Sequence, residues 1–179
     1  METLSQKVFM TFLDEHAELV AADKPGLPLS CSNGHIVSSY VDLLKKIAAL
    51  NYHNSTFRLL FRGQRKDYKL NTRGDISPYH SCLYPSILRP EAAQDRVALL
   101  DKRFDVLSRA ENLLKEKLRI GYIHKNQMVR WAILQHYEVC KTPLLDLTQS
   151  IQTALSFAIG NGNDEGFLFV LAFPKLTGA

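Results

Sequence analysis

Leu4, Val8, Phe12, His16 and Val20 recur at helical spacing, with Phe9, Leu13 and Leu19 beside them, so the pattern predicts a helix over residues 4–20. Asp23-Lys24-Pro25-Gly26 would end it, because proline cannot continue a helix and glycine tolerates the cap. Residues 25–38 read as a loop. Ser39-x-x-Asp42 fits a capping box, and Tyr40, Leu43, Leu44, Ile47 and Leu50 mark the buried face of a second helix. Phe57–Phe61 (FRLLF) predicts a short strand ending at Gly63. Residues 64–86 are polar and turn-rich and read as a long connection. Pro90 suits the first turn of a third helix, whose stripe runs through Val97, Leu100, Phe104, Leu107, Leu114 and Leu118. Asn126 starts a fourth, anchored by Met128, Trp131, Ala132 and Tyr137. Leu144–Leu147 predicts a short strand, and Thr148 or Ser150 the cap of a fifth helix over Ile151–Ile159. After a turn at Asn161–Asn163, Gly166–Phe173 (GFLFVLAF) is an unbroken apolar run, the pattern of a strand covered on both faces.

These elements define an α/β class, with α+β as its variant: a small mixed sheet with covering helices. Residues 1–52 form an N-terminal helical extension and residues 53–179 the main domain. Only three strands are visible, near 57–61, 144–147 and 166–173, and a buried strand needs neighbours on both sides. The sheet therefore reads as incomplete, its later strands lying outside this chain or supplied by a partner.

Composition narrows the class. The 179 residues carry 22 basic and 18 acidic side chains, a net +4, and 46% are hydrophobic, which excludes a mainly disordered chain. No apolar run reaches the ~20 residues of a membrane span, and the N-terminus lacks a signal-peptide pattern. Three cysteines at 31, 82 and 140 make no metal-spaced pair. A cytoplasmic protein without a metal and without membrane association is the expectation. The charge is uneven. Arg58, Arg62, Arg65, Lys66, Lys69 and Arg73 cluster against Asp67 alone, and Lys102–Arg130 holds a second basic stretch. Such clusters are either solvated faces or anion sites.

Local chemistry concentrates in a few places. In Phe61-Arg62-Gly63-Gln64, an arginine at a strand end followed by glycine can grip phosphate or carboxylate through paired hydrogen bonds. The alternative is a structural arginine paired with a carboxylate such as Asp146. Arg89, in Tyr84-Pro85-Ser86-Ile87-Leu88-Arg89-Pro90, could join Arg62 around one anion or start a helix. Gln135, His136 and Tyr137 either line a pocket or bind a buried loop. Asp146 on an apolar strand should be partly buried and should have a partner. A Cys140–His136–Asp146 triad is conceivable but cramped in sequence. Arg73-Gly74-Asp75 has no context as an integrin tripeptide. Phosphate-binding P-loop, dinucleotide, zinc-protease and nucleophile-elbow motifs do not occur.

FRGQ at 61–64, YPSILRP at 84–90, WAILQHY at 131–137 and LLDLTQSIQTALSFA at 144–158 together resemble the FRG domain, a family named for its Phe-Arg-Gly motif. The resemblance spans about residues 57–173. Glu138 departs from it, standing where the family usually has glycine. Leu147 replaces a common aromatic, and Cys140-Lys141 lengthens the link to Thr142. The resemblance implies a domain of a bacterial or phage defence or toxin system.

The element order is also similar, more distantly, to ADP-ribosyltransferase folds. That similarity implies NAD as cofactor, with Arg62 as the contacting cation and Arg89 as pyrophosphate partner. Thr148 and Ser150 would shape the pocket, and Asp146 would orient Arg62 or Thr148. The candidate ligand-binding set is Arg62, Gly63, Gln64, Arg89, Gln135, His136, Tyr137, Asp146, Thr148 and Ser150. No catalytic residue is assigned. The ribose-polarising glutamate of such folds would lie beyond Ala179, so this chain could bind without catalysing. Two other classes stay open: a nucleic-acid or polyanion-binding module, and a non-catalytic domain that meets a protein partner through its N-terminal helices.

Overall fold

The computed structural model describes residues 10–13, 18–21, 34–70, 80–89, 96–118, 120–160 and 165–175. The chain divides into two compact units, Met1–Cys82 with Leu147–Ala179, and Leu83–Asp146. Helices combine with small antiparallel sheets, so the α/β class with a small sheet holds in its α+β variant.

In the first unit, β1 (Met10–Leu13) pairs with β2 (Glu18–Ala21), Phe12 lying opposite Leu19. This corrects the helix expected over 4–20. Apolar runs of three or four residues fit either periodicity, and the backbone pairs antiparallel from Met10↔Ala21 to Leu13↔Glu18. The remaining residues of that predicted helix, its stop at Asp23–Gly26 and most of the 25–38 loop lie outside the described residues.

Helix α1 (Tyr40–His53) begins as expected, with the Asp42 N–H donating to Ser39 Oγ at 3.1 Å. Leu43, Ile47 and Leu50 are buried, while Tyr40 and Leu44 are exposed. Asn54 closes the helix from a buried position, its Nδ2 donating to the Leu50 carbonyl at 2.7 Å. Strand β3 (Phe57–Gln64) follows. The polar connection contains a second short pair, β4 (Tyr68–Leu70) with β5 (His80–Cys82). The predicted loop is thus in part a hairpin, pinned where Lys69 and Ser81 face one another and Lys69 Nζ donates to Ser81 Oγ at 2.9 Å. Gly74, Pro78 and the Arg73–Asp75 tripeptide lie outside the described residues.

The second unit holds α2 (Arg96–Lys117), α3 (Gly121–Lys125) and α4 (Gln127–His136), preceded by a single 3₁₀ turn at Ser86–Leu88. Pro90 lies outside the described residues. The predicted stripes are corrected here. On α2 the buried residues are Arg103, Leu107 and Glu111, and Val97 and Phe104 are exposed. On α4 they are Arg130 and Leu134, and Met128, Ala132 and Tyr137 are exposed. Both helices turn an ionic residue inward. Arg130 Nη2 lies 2.6 Å from Glu111 Oε1, and Arg130 Nη1 donates to the Ile123 and His124 carbonyls at 2.6 and 2.7 Å. Buried charges are tolerated when paired and fully hydrogen-bonded, a condition that hydrophobic periodicity does not register.

The chain returns to the first unit at Leu147. Leu144–Leu147 is not a strand. The Leu144 N–H donates to Thr142 Oγ1 at 3.4 Å, a local bond that competes with ladder formation, and only Thr148 reaches β3, in a single bridge to Phe61. Ser150, not Thr148, caps α5 (Ile151–Ile159), accepting from the Thr153 N–H at 3.2 Å. The predicted turn at Asn161–Asn163 lies outside the described residues. Strand β6 (Phe167–Pro174) then pairs antiparallel with β3 along its whole length. It is half-buried rather than covered on both faces, and among the described residues β3 is its only strand partner.

Candidate functional site

The β3–β6 pair has two faces, and the register separates them. Leu59, Phe61 and Gly63 alternate along β3, opposite Ala172, Val170 and Leu168 of β6. These positions meet α1 and α5 in a core of Leu43, Ile47, Leu50, Leu59, Phe61 and Ala154. Gly63 is where α5 comes closest. A Cβ there would collide with the Ala154 carbonyl oxygen and sit 2.7 Å from the Ala158 amide nitrogen. The glycine of the Phe-Arg-Gly motif thus admits the helix backbone, and the alanines at 154 and 158 keep the helix side of the contact thin. Gly63, an expected ligand-binding position, has a packing role here.

The opposite face carries Arg58, Leu60, Arg62 and Gln64, across from Phe173, Leu171, Phe169 and Phe167. Arg62 and Gln64 are both buried. Arg62 Nε donates to Gln64 Oε1 at 3.3 Å. That bond orients the Gln64 amide, leaving Nε2 as a donor directed elsewhere. Gln64 is 5% exposed, and its Nε2 has no hydrogen-bond partner among the described residues. A buried amide donor without an acceptor costs about 1–3 kcal/mol; in the same unit Asp67 Oδ1 is likewise buried without a partner among the described residues, and Gln64 Nε2 differs from it in lying on the β3 face beside Arg62.

Thr148 and Ser150 belong to the same unit, but their hydroxyls are engaged. The Ser150 N–H donates to Thr148 Oγ1 at 3.0 Å, and Ser150 Oγ caps α5. The Phe61 N–H donates to the Thr148 carbonyl at 2.7 Å, and the Thr148 N–H returns a 2.9 Å bond to the Phe61 carbonyl. The LLDLT motif is therefore joined to the strand of the FRGQ motif one residue before Arg62.

The remaining expected residues lie in the second unit. Arg89 Nε donates to the Tyr84 carbonyl at 3.4 Å, and its own carbonyl, with that of Ile87, accepts from Arg103 Nη1 at 2.8 and 2.7 Å. Gln135 acts as a structural bridge. Its Nε2 donates to Asp146 Oδ1 at 2.5 Å, and its Oε1 accepts from the hydroxyl of the fully buried Thr142. Thr142 is held in turn by Ser86, whose Oγ accepts from the Thr142 N–H at 3.0 Å. The PSILR and QHY motifs thus meet through Ser86, Thr142 and Gln135. Asp146 is exposed and outside any strand, correcting the partly buried strand carboxylate expected there.

His136 and Tyr137 are exposed and stack edge to face on each other at 5.1 Å. Cys140 packs against Ile87, Leu107 and Leu134, and burial pushes its thiol up from the ordinary value, the wrong direction for a nucleophile. Among the described residues no group of three or more His, Cys, Asp or Glu side chains could hold a metal ion.

Two features escaped the sequence reading. The Glu111–Arg130 pair is joined by Trp131 Nε1, which donates to Glu111 Oε2 at 3.1 Å, and by Gln127 Nε2 at 3.4 Å. Burial alone would raise the Glu111 carboxyl. The hydrogen bonds from Arg130, Trp131 and Gln127, with the Arg130 charge, outweigh it and hold the carboxyl below its usual range. The second feature is Glu138, whose φ of 52° is left-handed. The Glu138 N–H donates to the Gln135 carbonyl at 3.0 Å and the Val139 N–H to the Leu134 carbonyl at 2.9 Å, the paired bonds of a Schellman motif.

The family model of the FRG domain matches residues 57–166, from the start of β3 to the residue before β6. The chain belongs to the FRG domain family. No curated protein and no solved structure matches it. Among the described residues no helix is long and apolar enough to cross a membrane.

Proposed function

We propose that this FRG domain binds a nucleotide, with NAD the first candidate, and that Arg62 and Gln64 take its acceptor groups. The observation that carries the reading is the buried Gln64 Nε2, held as a donor by Arg62 and without an acceptor among the described residues. A guanidinium and an amide donor on one strand face suit phosphate oxygens and ring carbonyls. NAD is taken from the element order expected from the sequence, of which the Arg62 strand, α5 and β6 are present and the Leu144–Leu147 strand is not; NAD would supply an ADP-ribose group for transfer. In this reading Arg62 and Gln64 bind and orient, the Thr148–Ser150 turn holds the neighbouring backbone in place, and no carboxylate is assigned to the ribose. The family resemblance makes a bacterial or phage defence or toxin system the proposed setting.

The exposed Arg58, Arg65 and Lys66 around β3 favour a second reading, a polyanion-binding surface. A thermal-shift titration with NAD, ADP-ribose and a short oligonucleotide separates the two. The nucleotide reading predicts saturable stabilisation by NAD or ADP-ribose, about 2.7 kcal/mol at a hundredfold excess over Kd. It also predicts loss of that shift in a folded Arg62→Ala variant. Stabilisation by the oligonucleotide alone, falling steeply with salt, would favour the polyanion surface instead.

A further inference from the structure

The face that holds Arg62 and Gln64 also carries a row of aromatic rings. Arg62 lies opposite Phe169 and Gln64 opposite Phe167, and residues directly opposite in an antiparallel pair share a face with Cβ atoms about 4.5–5.5 Å apart. The other face of β6 is already used, since Leu168, Val170 and Ala172 pack into the core with α1 and α5. Phe167 and Phe173 are not used in that way. They are 43% and 44% exposed, and Phe169 between them is half-buried. Phe167, exposed, and Phe169, half-buried, beside a buried amide donor and a guanidinium, combine two kinds of recognition: flat apolar rings for stacking, and donors at their edge for acceptor atoms.

We infer that Phe167 and Phe169 form the stacking floor for the base of the bound nucleotide. The inference rests on the Arg62–Gln64 reading and extends it from an acceptor site to a site for an aromatic heterocycle. The base lies against the β6 rings, and its acceptor atoms or the attached phosphate meet Gln64 Nε2 and Arg62. The chemistry agrees, since the donors on β3 are neutral or cationic and the rings on β6 carry no competing polar group. Stacking tolerates many bases, so the acceptor contacts at Gln64 set any preference among them. The sequence alone showed only an apolar run here; the register divides it into a core-facing half and a ligand-facing half.

The test compares ADP-ribose, which carries a base, with ribose 5-phosphate, which does not, by calorimetric titration of the full chain. Wild type, Phe167→Leu and Phe169→Leu are each checked for an intact fold by melting and near-ultraviolet circular dichroism. Leucine keeps an apolar side chain and removes only the aromatic surface. The expected result is ADP-ribose binding weakened about tenfold or more by Phe169→Leu, a smaller loss in Phe167→Leu, and ribose 5-phosphate binding unchanged in both. Wild-type ADP-ribose binding left within twofold by both variants would overturn the stacking floor and leave the Arg62–Gln64 reading standing. Failure of wild type to bind ADP-ribose at all would overturn both.

Discussion

Glu138 shows how one residue can carry a cost that its neighbours have to meet. At the end of α4 the chain needs a left-handed residue to close the Schellman motif, and this sequence places glutamate there with φ 52°. A side chain in that conformation costs about 1–2 kcal/mol, and glycine avoids it. Glu138→Gly should therefore raise stability by about 1 kcal/mol, read as a higher urea midpoint with an unchanged slope. A neutral or destabilising result would mean that the Glu138 side chain makes a compensating contact. The position was legible as a departure from the FRG pattern, but its φ was not. Gly63 is the reverse case. Its place after Arg62 suggested room for a ligand, and the structure fills that room with the backbone of α5. Both glycine positions of the pattern thus have backbone explanations, whereas Gln64, read as one ligand contact among ten, carries the unpartnered donor.

At the scale of elements, legibility followed the strength of the local signal. Capping residues spoke clearly: Ser39 and Ser150 each accept from the third N–H beyond them. The boundaries of α1 and α5 accordingly came out close to expectation. Stripes failed where a helix buries an ion pair. Arg103, Glu111 and Arg130 occupy inward positions that a hydrophobic count assigns to solvent. The Leu144–Leu147 run is not a strand: the Leu144 N–H turns back to Thr142 Oγ1, and pairing with β3 is confined to Thr148.

The α2–α4 pairing depends on Glu111, and its pH dependence has a defined sign. The folded carboxyl lies below its usual value, so between the folded and unfolded pKa values the unfolded state holds more protons. The stabilisation is complete above the ordinary glutamate value, about 4.3, and is lost as pH falls through the lowered folded value. Urea unfolding followed from pH 7 down to pH 3 should show stability declining in that acid window, and Glu111→Gln should flatten the decline. The same variant at pH 7 leaves Arg130 buried without its counter-charge, a loss of about 3 kcal/mol. An unchanged midpoint would contradict the role given to the pair.

At the scale of the molecule, the sequence motifs sort into two groups, one in each unit. FRGQ, the end of LLDLT, and ALSFA belong to the unit that holds the β3–β6 pair, where they form strand, bridge and packing helix. PSILR and QHY belong to the unit of α2 and α4, where Ser86, Thr142, Gln135 and Arg103 tie them together. Much of what marks the family is thus explained by packing and by local hydrogen bonds. Packing leaves unexplained the Gln64 donor and the phenylalanines opposite it, together with Asp67 Oδ1 and Arg103 Nη2, and the proposed nucleotide site is at Gln64.

The most direct measurement is calorimetric titration of ADP-ribose into Gln64→Glu beside wild type. Glutamate keeps an oxygen for Arg62 Nε and removes the donor, so a structural role for Gln64 predicts a folded protein with unchanged ligand behaviour. The account predicts a folded variant, at least as stable as wild type, whose ADP-ribose binding is lost. Binding that persists at wild-type strength in Gln64→Glu would contradict it.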